Sequence, residues 1–315
     1  MDMPDLSELA RTNRMKREAS TALILSVLVL AGLYSLPFGK AASPAASAVS
    51  IASSTPDAFA DIALHAKAAI VYDLATGQTL YAKNANAQLP LASITKLLTA
   101  YTAVKELGEG APVTITPADI AVEGDSGFSA GETFRLRDLA RLTLTGSIND
   151  GAAALASAAA TRKGEPVPRL LAGAAAGLNL SQTYAIDGSG LDTSSTISGG
   201  YGSAHDVALL AGALLAEAPD IAEATTQRSD TEKSLTGVVH TKPNTNTHVS
   251  ITPRILLSKT GYTDLAGGNL VIVFDAAVNH PIAVVALGST EEYRFTDVDT
   301  MVNATLAHFA GTENP

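Results

Sequence analysis

The sequence predicts an α+β domain: an antiparallel sheet flanked by helices, with an all-helical insertion, preceded by one N-terminal transmembrane helix. Three observations lead there. Apolar runs of strand length fall near residue 70 and again between residues 255 and 288. Helical periodicity fills the interval between them. One uncharged run of membrane-crossing length precedes them all.

That first run, Thr21 to Phe38, reads TALILSVLVLAGLYSLPF, 18 residues without a charge. At ~1.5 Å per residue such a helix spans roughly 27 Å, near the thickness of the hydrocarbon layer. Arg11, Arg14, Lys16 and Arg17 precede it, and only Lys40 follows before Lys67. The asymmetry places a cytoplasmic tail at 1–20, the membrane helix at 21–38 and everything later outside the cell membrane. A cleaved signal segment, with a processing site at Ala46-Ser47-Ala48, is the rival reading and would leave the chain secreted. Residues 39–60, rich in Ala, Ser and Pro, read as an extracytoplasmic linker to a folded domain at 61–315.

Within that domain, KAAIVYDLATGQTLYAKN reads as two strands, Ala69 to Tyr72 and Thr79 to Ala82, around a turn at Ala75-Thr76-Gly77. Helical spacing starts near Ile94 and stops at Gly108. After a polar stretch with Pro112 and Pro117, helices are expected over Arg137 to Leu144, Gly151 to Ala160 and Arg169 to Ala176, with Pro166 and Pro168 breaking the run. Thr183 to Ile186 reads as a short strand. Ser203 is placed to cap a helix through Ala216. The runs ILLSKTG, NLVIVFDA and PIAVVALG are strands, the last two joined by a tight turn at Asn279-His280-Pro281, and Tyr293 to Phe309 is a terminal helix.

Composition narrows the function. The net charge is -10, with no long basic block, which argues against a nucleic-acid partner. There is no cysteine, so disulfides and thiolate metal sites are ruled out, and the six histidines form no HExxH or HxH pair. No metal and no cofactor are expected.

Chemistry is carried by three short motifs. Ser93-Ile94-Thr95-Lys96 lies at the start of a helix, where residues i and i+3 share a face, so the Ser93 hydroxyl and the Lys96 amine can meet. Serine is a weak nucleophile until a base takes its proton. Lysine can be that base when burial or a nearby cation disfavours its ammonium. The plain alternative is a helix-capping serine beside a solvated lysine. Ser147-Ile148-Asn149 falls in a turn between helical segments, and Lys259-Thr260-Gly261 ends a β-rich run. In that order, S-x-x-K, S-x-N and K-T-G are the set found in β-lactamases and penicillin-binding proteins.

Longer blocks extend the likeness over residues 66–310. PLASITKLLTAY, LTLTGSINDGAAALA, IDGSGLD, SAHDVALLA, LLSKTGYTDLAGGNLV and VVALG followed by YRFTD resemble, in order, the conserved blocks of low-molecular-mass penicillin-binding proteins of the D-alanyl-D-alanine carboxypeptidase type. IDGSGLD departs at Asp187 and Ser189, and Ile148 stands where most of that family carry glycine.

The resemblance implies a β-lactamase/transpeptidase-like fold and a set of roles. Ser93 would attack the penultimate D-Ala carbonyl of a peptidoglycan stem peptide ending in D-Ala-D-Ala. Lys96 would be the general base. Ser147 would relay a proton to the leaving amine. Asn149 would bind the substrate amide and orient Lys96. Lys259 and Thr260 would hold the terminal carboxylate, with Gly261 allowing close approach and Arg294 as a further carboxylate ligand. Lys259 would also depress the Lys96 pKa, and the backbone N–H groups of Ser93 and Tyr262 would form the oxyanion hole. β-Lactams would be covalent inhibitors. Three other outcomes stay open: a DD-endopeptidase, a serine β-lactamase, for which Glu165 is the nearest candidate activating carboxylate, and a non-catalytic penicillin-binding sensor.

Overall fold

The structure, a computed structural model, describes residues 57–124 and 127–312. The expected cytoplasmic tail, the expected membrane helix and nearly all of the expected linker therefore lie outside the described residues. Among the described residues no helix is long and apolar enough to cross a membrane.

In chain order the elements are β1 (Ala68–Asp73), β2 (Gln78–Lys83), β3 (Leu89–Pro90), a 3-10 turn (Ala92–Ile94), α1 (Thr95–Leu107), β4 (Pro112–Thr114), a second 3-10 turn (Asp119–Ala121), β5 (Thr133–Arg135), α2 (Leu136–Gly146), α3 (Asn149–Lys163), α4 (Val167–Gly177), β6 (Tyr184–Ala185), β7 (Gly200–Gly202), α5 (Ala204–Glu217), α6 (Pro219–Ala224), β8 (Ser229–Lys233), β9 (Val239–Pro243), β10 (Ile255–Thr263), β11 (Gly267–Ala277), β12 (His280–Ser289) and α7 (Tyr293–Thr312). The main sheet has the order β10-β11-β12-β1-β2 and is antiparallel throughout. The α+β expectation holds.

The parity of each strand explains why the sheet is covered on both faces. Ile70, Leu257, Val271, Val273, Val285 and Leu287 point to one side and share a core with Leu98 of α1 and Val207, Ala211 and Leu214 of α5. Their neighbours Val71, Leu270, Ile272, Phe274 and Val284 point to the other side, against Val298, Met301 and Val302 of α7. A strand apolar at consecutive positions, such as the LVIVF of Leu270–Phe274, is what burial on both faces demands. Each of these side chains contributes ~1.5–3 kcal/mol of transfer free energy.

Two expectations need correction. The insertion between β2 and β10 is not all-helical: it also carries the hairpins β4–β5 and β8–β9 and the small sheet β3-β7-β6. β4 opens on Pro112 and β8 reads SDTEK, so neither shows an apolar alternation. The turn expected at Asn279-His280-Pro281 is shifted: Ala277 pairs with His280, leaving Val278 and Asn279 as the turn. Asn279 takes the left-handed conformation there, φ 53, and His280 Nε2 donates to Asp73 Oδ2, 2.8 Å away. Ser203 does cap α5, its Oγ accepting from the Asp206 N–H at 3.0 Å. Pro168 falls in the first turn of α4, where its missing N–H has no intrahelical acceptor to lose.

Candidate active site

Ser93 sits in the middle of the 3-10 turn that leads into α1. The plain alternative, a helix-capping serine beside a solvated lysine, is not what the structure holds: no side chain caps this turn, and the Ser93 Oγ accepts a hydrogen bond from Lys96 Nζ at 2.7 Å. The residue before it, Ala92, has φ +49, a left-handed conformation that costs an alanine ~1–2 kcal/mol. The sheet holds this segment in place. Asn269 of β11 donates through Nδ2 to the carbonyls of Pro90 and Leu91, each at 3.0 Å, and accepts from the Gly288 N–H. Gly261 of β10 lies close beneath, where a Cβ would come within 2.8 Å of the Leu91 carbonyl oxygen.

Lys96 is 1% exposed. Its Nζ has three acceptors: Ser93 Oγ, Asn149 Oδ1 at 2.8 Å and the Ser189 carbonyl at 2.8 Å. Burial lowers its pKa to about 7, against a smaller opposing pull from the Asp187 charge. Of the two expected causes, burial or a nearby cation, burial carries the depression. Asn149, at the start of α3, is itself held by donation from Nδ2 to the Glu123 carbonyl at 3.0 Å.

Lys259 on the edge strand β10 is also 1% exposed and donates to Ser147 Oγ at 2.8 Å and to the Thr260 carbonyl at 2.9 Å. Burial, then the charges of Lys96 and Arg294, push its pKa well below the usual lysine value. Ser147 ends α2 in the left-handed conformation, φ 58 and ψ 39, which turns its hydroxyl away from the helix axis and toward Lys259. The Thr260 hydroxyl shares a hydrogen bond with Thr245 at 2.6 Å. Arg294, at the start of α7, is 7% exposed and donates from Nη1 to the Gly261 carbonyl at 2.9 Å, while its Nε has no partner among the described residues. Tyr262 is 47% exposed at the mouth. Tyr262 and Arg294 line an open cavity of about 890 Å³ with Thr245, Thr290 and Tyr293.

The structure thus brings Ser93, Lys96, Ser147, Asn149, Lys259, Thr260 and Arg294 into two linked clusters, one serine to each lysine. Sequence reasoning missed the Ser189 carbonyl, Thr245 and the clamp from Asn269. Ser189 and Asp187 were visible as departures in IDGSGLD; nothing local marked the other two. Glu165 lies past the far end of α3 from Asn149, about 21 Å along the helix, too far to act on a water at Ser93. Ile148 turns inward and is 8% exposed, packed against Gly127 and Gly146.

A buried lysine with a pKa near neutrality, bonded to a serine and flanked by an S-x-N turn and a K-T-G strand, is the arrangement of a serine acyl-transfer site. Residues 52–290 match the family described as D-alanyl-D-alanine carboxypeptidase. The chain belongs to that family. Among its relatives, the D-alanyl-D-alanine carboxypeptidase DacD of Escherichia coli strain K12 is 31% identical over 252 residues, 73% of this chain and 62% of that protein. A D-alanyl-D-alanine carboxypeptidase structure from Mycobacterium tuberculosis H37Rv superposes with a TM-score of 0.67 at 27% identity, covering 81% of this chain and 94% of the other. Penicillin-binding protein D2 of Listeria monocytogenes, solved with ampicillin bound, gives 0.65 at 26% identity, covering 78% of this chain and 98% of that one. The chain spans 57–64% of the length of the curated carboxypeptidases DacD and DacF that it matches.

Proposed function

We propose that this family member is a serine-type D-Ala-D-Ala carboxypeptidase acting on peptidoglycan stem peptides. The observation that carries the reading is the buried Lys96 amine 2.7 Å from Ser93 Oγ, with its pKa lowered to about 7. At that value a large fraction of Lys96 is neutral at physiological pH and able to take the Ser93 proton. A neutral amine has two N–H bonds and one lone pair. Asn149 Oδ1 and the Ser189 carbonyl receive the two N–H bonds, which leaves the lone pair for the serine O–H.

Ser93 Oγ then attacks the carbonyl of the penultimate D-Ala as Lys96 takes its proton. The oxyanion is received by the backbone N–H groups of Ser93 and Tyr262, a contribution of the order of 3 kcal/mol per donor. The C–N bond breaks as Ser147 passes a proton to the leaving D-Ala amine and takes in its place the proton that Lys96 received from Ser93, which returns the lysine to its neutral form. Lys259, Thr260 and Arg294 hold the carboxylate of that D-Ala. Water then cleaves the Ser93 ester, which yields the shortened peptide and restores the hydroxyl. β-Lactams, with a comparable carbonyl and carboxylate, acylate the same serine. The ampicillin complex of the Listeria relative supports that extension. The uncharged Thr21–Phe38 segment serves as the membrane anchor, with residues 61–315 as the extracytoplasmic catalytic domain.

The test is D-Ala release from a diacetyl-Lys-D-Ala-D-Ala peptide by the purified full-length chain, with Ser93→Ala as control. Release that depends on Ser93 supports the carboxypeptidase. Stable penicillin labelling without release would replace it with an endopeptidase or a sensor.

A further inference from the structure

Asp187 has no step in the chemistry above, yet its side chain holds the turn that carries the Ser189 carbonyl. Its Oδ1 accepts from the Ser189 N–H at 2.7 Å, the Ser189 hydroxyl at 2.8 Å and the Gly190 N–H at 2.8 Å. Its Oδ2 lies against Gly199, where a Cβ would come within 2.5 Å. The carboxylate is therefore pinned on both sides. The bonds curl Gly188–Gly190 into a turn whose carbonyls face α1. The Gly188 carbonyl accepts from Thr99 Oγ1 and the Ser189 carbonyl accepts from Lys96 Nζ, both at 2.8 Å.

The consequence follows from the valence of the amine. If the Ser189 carbonyl drifted, a Lys96 N–H would be free to swing toward Ser93, and the lone pair would no longer be aimed at the hydroxyl. Resting on the carboxypeptidase reading, we propose that Asp187 is the positioning residue for Lys96: it locks the carbonyl that orients the lysine, and its carboxylate, held in the same turn, acts by its charge on that amine. The direction of the charge effect is consistent with the opposing pull of Asp187 on Lys96. The other charged groups around the cluster are Lys259 on β10, Arg294 on α7, and Glu123 and Asp192, which line the same cavity of about 220 Å³ as Asp187. All four stay in place in the variants below, so a difference between variants reports on Asp187.

The experiment uses the full-length chain and two variants. Asp187→Asn keeps an oxygen to accept the three bonds and loses the charge. Asp187→Ala loses both. Lys96 is titrated directly by NMR of 13Cε-labelled lysine, its signal assigned by loss in Lys96→Arg, and Ser93 acylation by a fluorescent penicillin is followed against pH. In Asp187→Asn the Lys96 midpoint and the acid limb of acylation should both move to lower pH, by ~1 unit as for loss of an opposite charge nearby, with the plateau rate kept. In Asp187→Ala the plateau should also fall, ~10-fold or more, as for a misaimed catalytic group.

An unmoved midpoint in Asp187→Asn overturns the electrostatic role, and a wild-type plateau in Asp187→Ala overturns the positioning role. If wild-type chain is never acylated while the Lys96 midpoint still moves, the proposed function fails and the Asp187–Lys96 coupling stands. If Ser93 is acylated and the midpoint stays put, the reverse holds. Asp187→Asn retains the turn's bonds, so the test survives a failure of Asp187→Ala to fold.

Discussion

Lys259 Nζ and Ser147 Oγ lie 2.8 Å apart, joined across 112 residues of chain. The lysine comes from the edge strand β10 and the serine from the end of α2, so the bond spans the two halves of the domain. Ser147 holds a left-handed φ of 58 to make it. Replacing Ser147 by glycine should separate function from stability. Glycine accepts that backbone without strain, a gain of up to ~1 kcal/mol, but leaves the buried Lys259 amine one acceptor short at ~1–3 kcal/mol, so unfolding in urea should show a small net loss of ~0–2 kcal/mol. Loss of the proton relay should cost ~10²–10⁴-fold in acylation rate, measured with a fluorescent penicillin. An undiminished rate would remove Ser147 from the mechanism.

Lys96 should make stability depend on pH. Its folded pKa is about 7, against an ordinary value of 10.5. Between those values the unfolded chain holds a proton that the folded chain lacks, so stability rises with pH, by up to ~1.4 kcal/mol per unit from this group. Below about 7 the group is protonated in both states and the dependence ends. Lys96→Met should therefore be more stable than wild type by the largest margin at pH 7 and below, with the margin shrinking toward pH 10.5. Lys259 has the same sign, and because the Lys96 charge helps depress it, Lys96→Met relieves part of that depression and enlarges the margin at low pH in the same direction. Urea denaturation at several pH values checks this, and a constant margin would contradict the buried neutral amine.

Arg294 has two jobs to separate. Its Nη1 supports the Gly261 carbonyl, while its Nε is unpartnered and its side chain borders the cavity beside Tyr262. Arg294→Ala should raise KM for a D-Ala-terminated peptide ~10-fold more than for its C-terminal amide, the range of one charged hydrogen bond. Loss from the Gly261 contact should fall on both substrates alike. Equal losses would confine Arg294 to supporting β10.

Much of this architecture was legible in the residues, for reasons that also mark where legibility stops. The LVIVF run of Leu270–Phe274 is apolar at every position because both faces of β11 are covered, and such a run is hard to mistake. The S-x-x-K, S-x-N and K-T-G motifs were visible because each is short and local. The hairpin β8–β9 was missed because SDTEK and VHTKP are largely exposed and carry no apolar alternation. A helix cap at Ser93 stayed open beside the nucleophile reading because the 3-10 turn and the φ of Ala92 have no sequence mark. The Ser189 carbonyl was out of reach for a different reason: a backbone acceptor can belong to any residue type.

Ile148 offers a sharper test of packing than of chemistry. Most relatives of this type are expected to carry glycine between the serine and asparagine of this turn, and an isoleucine needs room. The structure finds it at Gly127, where an added Cβ would collide with Ile148 Cγ2. That atom is fixed to a β-branched, buried side chain and cannot rotate away cheaply. Gly127→Ala should thus destabilise the wild type by ~1–3 kcal/mol, the usual cost of overpacking. Ile148→Ala alone should cost ~2–5 kcal/mol through the cavity it leaves. In the Ile148→Ala background the Gly127→Ala methyl meets only Asp150 Oδ1, at 3.2 Å, and should cost much less. The signature is a double-mutant coupling of ~1 kcal/mol or more, read from urea unfolding of the four proteins. Strict additivity would mean that the loop carrying Gly127 does not pack on the Ser147–Asn149 turn as described.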